Sequence, residues 1–310
     1  NLGSTNIVNL MDSPDFGKSV RAMTRALTFV TDASDIDVVP SIQNGNALNH
    51  TIGLGAMGLH TYFAKNQMEY GSPESLEFTD LYFMLLNYWT LVESNNIAKE
   101  RGEVFHNFEK SAYADGSYFT DYITGDYQPK SDKIKALFDG VFIPSGEDWA
   151  ALAEAVKKDG LYHQNRLAVA PNGSISYIND TSASIHPITR MIEERQEKKI
   201  GKIYYPAPYL SNDTIGYYRS AYDMDMRKVI DVYATAQKHV DQGMSMTLFM
   251  RSDIPEGLYE WKETSKQTTR DLNILRHYAF HKGIKSIYYV RTFTDDAEEI
   301  GSNQCESCVI

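Results

Sequence analysis

The chain has 310 residues, of which 42% are hydrophobic, enough to build one large domain or two small ones around a sizeable core. Its 41 acidic residues outnumber its 30 basic residues, and the resulting formal net charge of −11 argues against a nucleic-acid-binding protein. It shows neither an apolar run near the ~18 residues of a membrane span nor a signal-peptide pattern, and it has only two cysteines. We therefore expect a cytoplasmic protein without a disulfide framework. Because the first residue is Asn1, we expect a piece of a longer chain.

The first half of the chain predicts helices. Apolar side chains recur at helical spacing over 16–32. A longer helix begins at Ser72, a good N-cap, with Pro73 in the first helical position, and it ends at Gly102. Residues 106–146 are rich in Tyr, Asp, Gly and Ser, which indicates an irregular, partly helical excursion.

The second half alternates helices with strands. After a helix over 147–159, residues 166–170 read as a short buried strand. Further strands are predicted over 244–250 and 284–291, with a helix over 264–282 between them. A strand–helix–strand unit of this length implies parallel strands with a right-handed crossover, and the predicted fold class is α/β.

Two glycine-containing segments are candidates for ligand binding. Residues 53–58 match G-x-G-x-x-G, but no convincing strand precedes them, so we interpret these glycines as close-packing positions in or beside a helix. Residues 171–174, Pro-Asn-Gly-Ser, follow a predicted strand, and their backbone amides and hydroxyl suit a phosphate. An ordinary strand-to-loop turn is the alternative reading of this short segment.

Both cysteines lie near the end of the chain. Cys305 and Cys308 form a Cys-x-x-Cys pair after a polar, acidic run, a placement that favours thiol–disulfide exchange over structural cross-linking. Half of a zinc site completed by another chain, or a dithiol without a role, are the alternatives. The tyrosine pair Tyr288 and Tyr289, taken alone, is ordinary strand composition.

Several segments, taken in order, resemble one family. The chain closely resembles the C-terminal part of the large (α) subunit of class Ib ribonucleotide reductase, and the similarity spans essentially all 310 residues. Order and spacing together make the match more specific than any single motif. The segments that carry it are 1–7, 52–60, 170–176, 285–291 and 305–308.

The resemblance implies a fold and a reaction. Residues 1–293 would form the second half of a ten-stranded α/β barrel with helical excursions, and 294–310 a flexible redox-shuttle tail. The family reduces ribonucleoside diphosphates at the 2′ position through a transient cysteine radical. The resemblance implies no cofactor and no metal in this chain, because the family's small subunit, with a dimanganese or diiron centre, supplies the radical. The dNTP and ATP effectors would bind outside this segment.

The resemblance also implies residue roles. Tyr288 and Tyr289 would relay the radical from the small subunit. Cys305 and Cys308 would re-reduce an internal disulfide and then be reduced by a glutaredoxin-like or thioredoxin-like protein. Asn172 stands where Thr is commoner in the family. The loop that would hold the nucleoside diphosphate substrate consists of Pro171, Asn172, Gly173, Ser174 and Ile175.

Some of the family's residues are absent from this chain. It has neither the Asn-Leu-Cys-x-Glu motif of the radical cysteine nor the two cysteines of the internal redox pair. We therefore expect it to need the N-terminal portion of the same subunit and to be inactive alone. The alternative is a non-catalytic module that binds the small subunit or a redoxin.

Overall fold

The computed structural model describes residues 1–34, 36–197, 201–259, 261–262 and 265–293. Within them the chain forms an α/β structure. The strands are β1 (Leu2–Asn6), β2 (Gly53–Met57), β3 (Ile192–Glu197), β4 (Gly201–Pro206), β5 (Thr247–Arg251) and β6 (Tyr289–Phe293). The α-helices are α1 (Ile7–Met11), α2 (Phe16–Ala33), α3 (Pro40–Asn49), α4 (Leu59–Lys65), α5 (Pro73–Arg101), α6 (Thr120–Thr124), α7 (Asp132–Leu137), α8 (Gly146–Asp159), α9 (Gly173–Ile178), α10 (Met226–Gln237) and α11 (Thr269–His281). Short 3-10 helices cover Phe108–Lys110, Ser117–Phe119, Ile215–Tyr217 and Ala221–Asp223.

Five extended segments pair side by side in chain order, all parallel. β1 pairs with β2, and β5 with β6. Between these pairs runs the segment 166–170: Leu167 bridges to Leu54 of β2, and Val169 bridges to Met244, just ahead of β5. Helix α11 connects β5 to β6, so the predicted parallel strand–helix–strand unit is confirmed. Within the described residues these pairings do not close a barrel.

The long helix α5 forms the centre of the core. Its predicted ends are confirmed: the Ser72 hydroxyl accepts a hydrogen bond from the Ser75 amide at 3.2 Å, and Gly102 ends the helix in the left-handed conformation. Eighteen of its 29 residues are buried, on all sides of the helix. It is therefore an internal helix, and α2, α7, α8 and α10 pack around it.

Most of the other predicted elements are confirmed, with shifted ends. Helices α2 and α8 match the predictions for 16–32 and 147–159, and residues 106–146 form short helical turns. Helix α11 begins at Thr269, five residues after the predicted start at 264, because Thr268 supplies a capping box with Asp271. The last strand begins at Tyr289 instead of at 284.

Residues 53–58 lie beside a helix and not in one, because Gly58 is the N-cap of α4. Gly53–Met57 is the fully buried strand β2. The close-packing part of the interpretation is confirmed: a Cβ on Gly55 would lie 2.1 Å from the Ala168 carbonyl oxygen. Gly58 has φ +87°, and a Cβ there would lie 2.1 Å from Thr181 Oγ1. The contact of Gly55 with 166–170, which is distant in sequence, explains why a strand forms from residues that disfavour strands.

Two further features complete the fold. The sequence reading missed the hairpin of β3 and β4, which pair antiparallel. No helix in the described part of the chain is long and apolar enough to cross a membrane.

Candidate functional site

The register of the sheet brings together residues that are distant in sequence. Val169 is level with Met244, so residue 171 is level with Met246, two positions further along both segments. The Tyr288 amide donates to the Met246 carbonyl at 2.8 Å. The start of the 171–175 loop and the tyrosine pair therefore lie on either side of the segment that leads into β5.

A cavity of about 470 Å³ lies at this place. Its lining includes all five residues of 171–175 together with Tyr288 and Tyr289. The volume falls within the range typical of small-molecule sites. The segment 166–170 runs directly into Pro171 of this lining, and β5 and β6 contribute residues from their amino-terminal ends, beginning with Thr247 and Tyr289.

The 171–175 loop is partly helical. Gly173 opens the short helix α9, so the predicted loop ends as a helical first turn. The amides of a first turn lack carbonyl acceptors within their own helix, which suits them to an anionic ligand. Ser174 and Ile175 are exposed, whereas Asn172 is buried. The Asn172 side-chain Nδ2 donates to Ser4 Oγ of β1 at 2.6 Å, which ties the loop to the sheet.

Tyr288 and Tyr289 contact each other directly. The Tyr289 hydroxyl donates to the Tyr288 hydroxyl at 3.3 Å, and the ring centroids are 4.0 Å apart. The hydrogen bond with Tyr289 raises the pKa of Tyr288, so this phenol keeps its proton at neutral pH. Tyr288 and Tyr289 are 50% and 37% exposed, and both line the cavity. The Arg291 guanidinium lies 5.7 Å from the centroid of the Tyr289 ring.

A buried histidine supports the cavity wall, and the sequence reading gave it no role. His60 Nδ1 accepts a hydrogen bond from the Ile188 amide at 2.9 Å, and Nε2 lies 3.1 Å from the Tyr217 carbonyl oxygen. Ile188 lines the cavity. Burial lowers the pKa of His60 to about 4, which keeps the ring neutral and Nδ1 available as an acceptor. The supporting role of His60 is visible only from its hydrogen bonds to residues more than 120 positions away in the sequence.

The unpredicted hairpin forms another wall. The Tyr177 hydroxyl of α9 donates to the Glu193 carboxylate of β3, and its ring packs edge-on against Tyr205 of β4 with centroids 5.1 Å apart. Small hydroxyl residues also contribute polar groups to the lining. They include Thr181, Ser182, Ser184, Ser245 and Thr247.

The two cysteines lie outside the described residues. The exchange role of Cys305 and Cys308 therefore stays a prediction, as does the alternative of a zinc half-site.

The fold and the cavity define an α/β protein with a cavity between the end of the segment 166–170 and the beginnings of the parallel strands β5 and β6. The comparison with known families is specific: the model of the family "Ribonucleotide reductase, barrel domain" matches residues 1–290. The chain belongs to this family.

Three curated relatives match this chain over its full or nearly full length. The ribonucleoside-diphosphate reductase subunit alpha of Bacillus subtilis is 44% identical over 310 residues, which are 100% of this chain and 42% of the relative. The subunit of the same name from Mycoplasma pneumoniae is 42% identical, over 100% of this chain and 43% of the relative. That from Helicobacter pylori is 31% identical, over 99% of this chain and 37% of the relative. The chain thus spans about two fifths of the length of these relatives.

Proposed function

We propose that this chain is the C-terminal portion of the alpha subunit of a class Ib ribonucleoside-diphosphate reductase, which converts ribonucleoside diphosphates to 2′-deoxyribonucleoside diphosphates. One observation carries the proposal. A single cavity joins the 171–175 loop, suited to a diphosphate, to the tyrosine pair Tyr288 and Tyr289, suited to radical transfer. Neither segment alone distinguishes this function from ordinary turns and strands.

The fold supports the finer proposal that this portion forms half of a ten-stranded barrel. Five parallel segments pair in chain order: β1, β2, 166–170, the segment ending in β5, and β6. In such a half, β1 and β6 are outer strands with unpaired backbone groups on one side. The N-terminal portion of the same subunit would supply the other five strands and, with them, the radical cysteine.

The cavity offers two kinds of group to a nucleoside diphosphate. The first-turn amides of α9 and the Ser174 hydroxyl would donate to the diphosphate oxygens. Ser245 and Thr247 also line the cavity, and their hydroxyl oxygens would accept hydrogen bonds from the sugar hydroxyls.

The tyrosine pair would carry the radical inward from the small subunit. A phenol can lose an electron and a proton together, so the transfer leaves no uncompensated charge on the side chain. The direct hydroxyl contact at 3.3 Å gives the proton a neighbouring acceptor.

The remaining partners are proposed from the family. A small subunit with a dimanganese or diiron centre would generate the radical. Cys305 and Cys308 would carry electrons from a glutaredoxin-like or thioredoxin-like protein to the internal cysteine pair.

Reconstitution tests the function. We would co-express this chain with the N-terminal portion of the subunit, add the small subunit and a small dithiol, and measure conversion of cytidine diphosphate to its deoxy product. The mixture should turn over, while each portion alone should not. If the two portions copurify with the small subunit and yet form no product, the chain is a non-catalytic binding module.

A further inference from the structure

Three side chains from different parts of the fold form a hydrogen-bonded triad outside the cavity. The Tyr122 hydroxyl of α6 pairs with Nδ1 of His239 at 3.0 Å, and Nε2 of that ring pairs with the Asp80 carboxylate of α5 at 3.1 Å. Tyr122 and His239 are 7% and 2% exposed, and none of the three residues belongs to the cavity lining. The proposed reaction therefore gives this triad no role.

The carboxylate determines which nitrogen of the imidazole carries the proton. Burial opposes ionisation of Asp80, but the hydrogen bond from His239 and the nearby Lys238 ammonium outweigh it and lower the pKa of this carboxyl. An ionised carboxylate only accepts hydrogen bonds, so Nε2 of His239 must be the donor. Burial lowers the pKa of His239, so the ring is neutral and Nδ1 is its unprotonated nitrogen. The Tyr122 hydroxyl therefore donates to a base.

A tryptophan lies in face-to-face contact with this tyrosine. The ring centroids of Trp149 and Tyr122 are 4.2 Å apart, with 19° between the ring planes. Trp149 is fully buried, and its Nε1 makes no hydrogen bond with any described residue. Two further ring contacts, of 4.9 and 5.1 Å, lead through Tyr88 to the partly exposed Trp89. A row of oxidisable rings therefore connects the surface to the buried triad.

We propose that Tyr122 is a redox-active tyrosine that traps an oxidising equivalent arriving through Trp149. Tyr122 gives one electron to the oxidised indole of Trp149 and its hydroxyl proton to Nδ1 of His239. The indole returns to its neutral state, a neutral tyrosyl radical forms, and the new imidazolium pairs with the Asp80 carboxylate. The oxidising equivalent comes from a one-electron oxidant at Trp89. In the proposed reductase, a side-chain radical displaced from its own path belongs to this class.

Proton acceptors determine the direction of the step. Oxidation makes both the indole N–H of Trp149 and the phenol of Tyr122 strong acids, so each oxidised ring is stabilised where its proton can leave. The Trp149 Nε1 proton has no acceptor among the described residues, whereas the Tyr122 proton has His239. A positive charge on an isolated buried ring is costly, and the step replaces it with an imidazolium–carboxylate pair. The oxidising equivalent therefore ends on Tyr122.

Pulse radiolysis of the 310-residue chain with azidyl radicals, which oxidise tryptophan in preference to tyrosine, tests the step. Trp261 is one of three tryptophans and stacks on Tyr259. The parent chain for all samples therefore carries Trp261→Phe, so that the row from Trp89 starts the reaction. The indolyl absorption should decay while tyrosyl absorption rises, at a rate that does not depend on protein concentration. In heavy water this rate should fall, because a proton moves with the electron.

Three substitutions identify the residues of the step. Tyr122→Phe should abolish the fast rise of tyrosyl absorption. His239→Gln keeps a hydrogen-bond acceptor for the hydroxyl but no base, and should slow the rise by about a hundredfold, the low end of what a positioned proton acceptor contributes. Tyr118→Phe is the matched control. The Tyr118 hydroxyl donates to the Asn87 amide oxygen at 3.1 Å, which is not a base, so the rise should stay as in the parent.

Three results would overturn the proposal: a rise that survives Tyr122→Phe, a rise in His239→Gln as fast as in the parent, or a parent rate that is unchanged in heavy water. Circular dichroism and urea unfolding of each variant check that it folds. The heavy-water comparison needs no change in the triad, so it decides the matter even where a variant does not fold. All of these measurements are independent of ribonucleotide reduction, which the reconstitution tests separately.

Discussion

At the scale of single residues, the tyrosine pair gives the sharpest test of radical transfer. Tyr288→Phe keeps the ring and its packing but removes the hydroxyl that receives the hydrogen bond of Tyr289. We expect the reconstituted enzyme to lose turnover, because phenylalanine has no exchangeable proton to lose with its electron. Nucleotide affinity should stay within about twofold, since loss of one exposed neutral hydrogen bond changes binding little. Product formation and equilibrium binding are the two measurements.

The control is Tyr204→Phe. Tyr204 is 60% exposed on β4 and is not part of the cavity lining, so the same chemical change there should leave turnover intact. Equal losses in the two variants would show that the chain merely tolerates tyrosine removal poorly, and would contradict a relay through Tyr288.

His60 makes stability depend on pH. Its pKa in the fold, about 4, is below the ordinary 6.5, so the unfolded chain binds more protons between these values. Stability is therefore fully present above pH 6.5 and falls as the pH falls toward 4. The contribution of this one group should drop by about 2 kcal/mol between pH 7 and pH 5. Urea unfolding at both pH values measures the change.

Substitution isolates the share of His60. In His60→Asn the amide oxygen can still accept from the Ile188 amide but does not titrate, so the difference between pH 7 and pH 5 should shrink by about 2 kcal/mol. His277→Asn, at an exposed site, should leave the difference as in wild type. An unchanged difference in His60→Asn would refute the assignment, and other groups such as His163, whose pKa burial also lowers, would then account for the slope.

At the scale of elements, close approach of the backbone defines the buried strand β2. A Cβ on Gly55 would lie 2.1 Å from the Ala168 carbonyl oxygen, and the backbones of the two residues belong to paired segments that cannot move independently. Gly55→Ala should therefore destabilise the chain by roughly 1–3 kcal/mol, as overpacking of a core does. Chemical denaturation measures the loss.

Gly45→Ala is the opposite case. Gly45 lies within helix α3 with no atom within 4 Å of the added Cβ, so this change should stabilise the chain by about 0.5–1 kcal/mol. If Gly55→Ala and Gly45→Ala changed the free energy of unfolding by similar amounts, the conformational propensity of glycine would explain both changes. Contact of Gly55 with 166–170 would then not determine strand β2.

The elements differ in how far the sequence predicts them. Helix α5 could be predicted to the residue because its signals are local: a serine cap, a proline in the first turn and a terminating glycine. Strand β2 could not, since Gly53 and Gly55 disfavour strands, and this one forms through pairing with β1 and with 166–170. The hairpin of β3 and β4 was missed because its residues are mostly polar or exposed and carry weak periodicity.

The candidate site divides in the same way. The residue types of 171–175 and of Tyr288 and Tyr289 could be identified from motif and resemblance. Their meeting in one cavity depends on the register of Val169 with Met244, which no local pattern encodes. The supporting role of His60 depends on a hydrogen bond to Ile188, 128 residues away, and so needs the fold.

At the scale of the whole molecule, only a short length of sequence separates the cavity lining from the two cysteines. Strand β6 contributes Arg291 to the cavity lining and ends at Phe293. Cys305 follows twelve residues later (305 − 293), a length of chain that spans at most ~40 Å. In the proposed enzyme, a tail of this length would allow one dithiol to meet both a protein reductant and the internal disulfide.

This reach predicts a specific kinetic phenotype for Cys305→Ser. In the reconstituted enzyme, a redoxin should no longer support multiple turnovers, because electrons cannot pass from it to the internal cysteine pair. One turnover starting from the reduced enzyme should remain, and a small dithiol that enters the cavity should restore continuous activity. Rapid-quench product counts and steady-state rates with each reductant measure these effects.

Ser307→Ala, between the two cysteines, is the matched control and should keep redoxin-driven turnover. Loss of the single turnover in Cys305→Ser would place this cysteine in the reduction chemistry itself and contradict the shuttle.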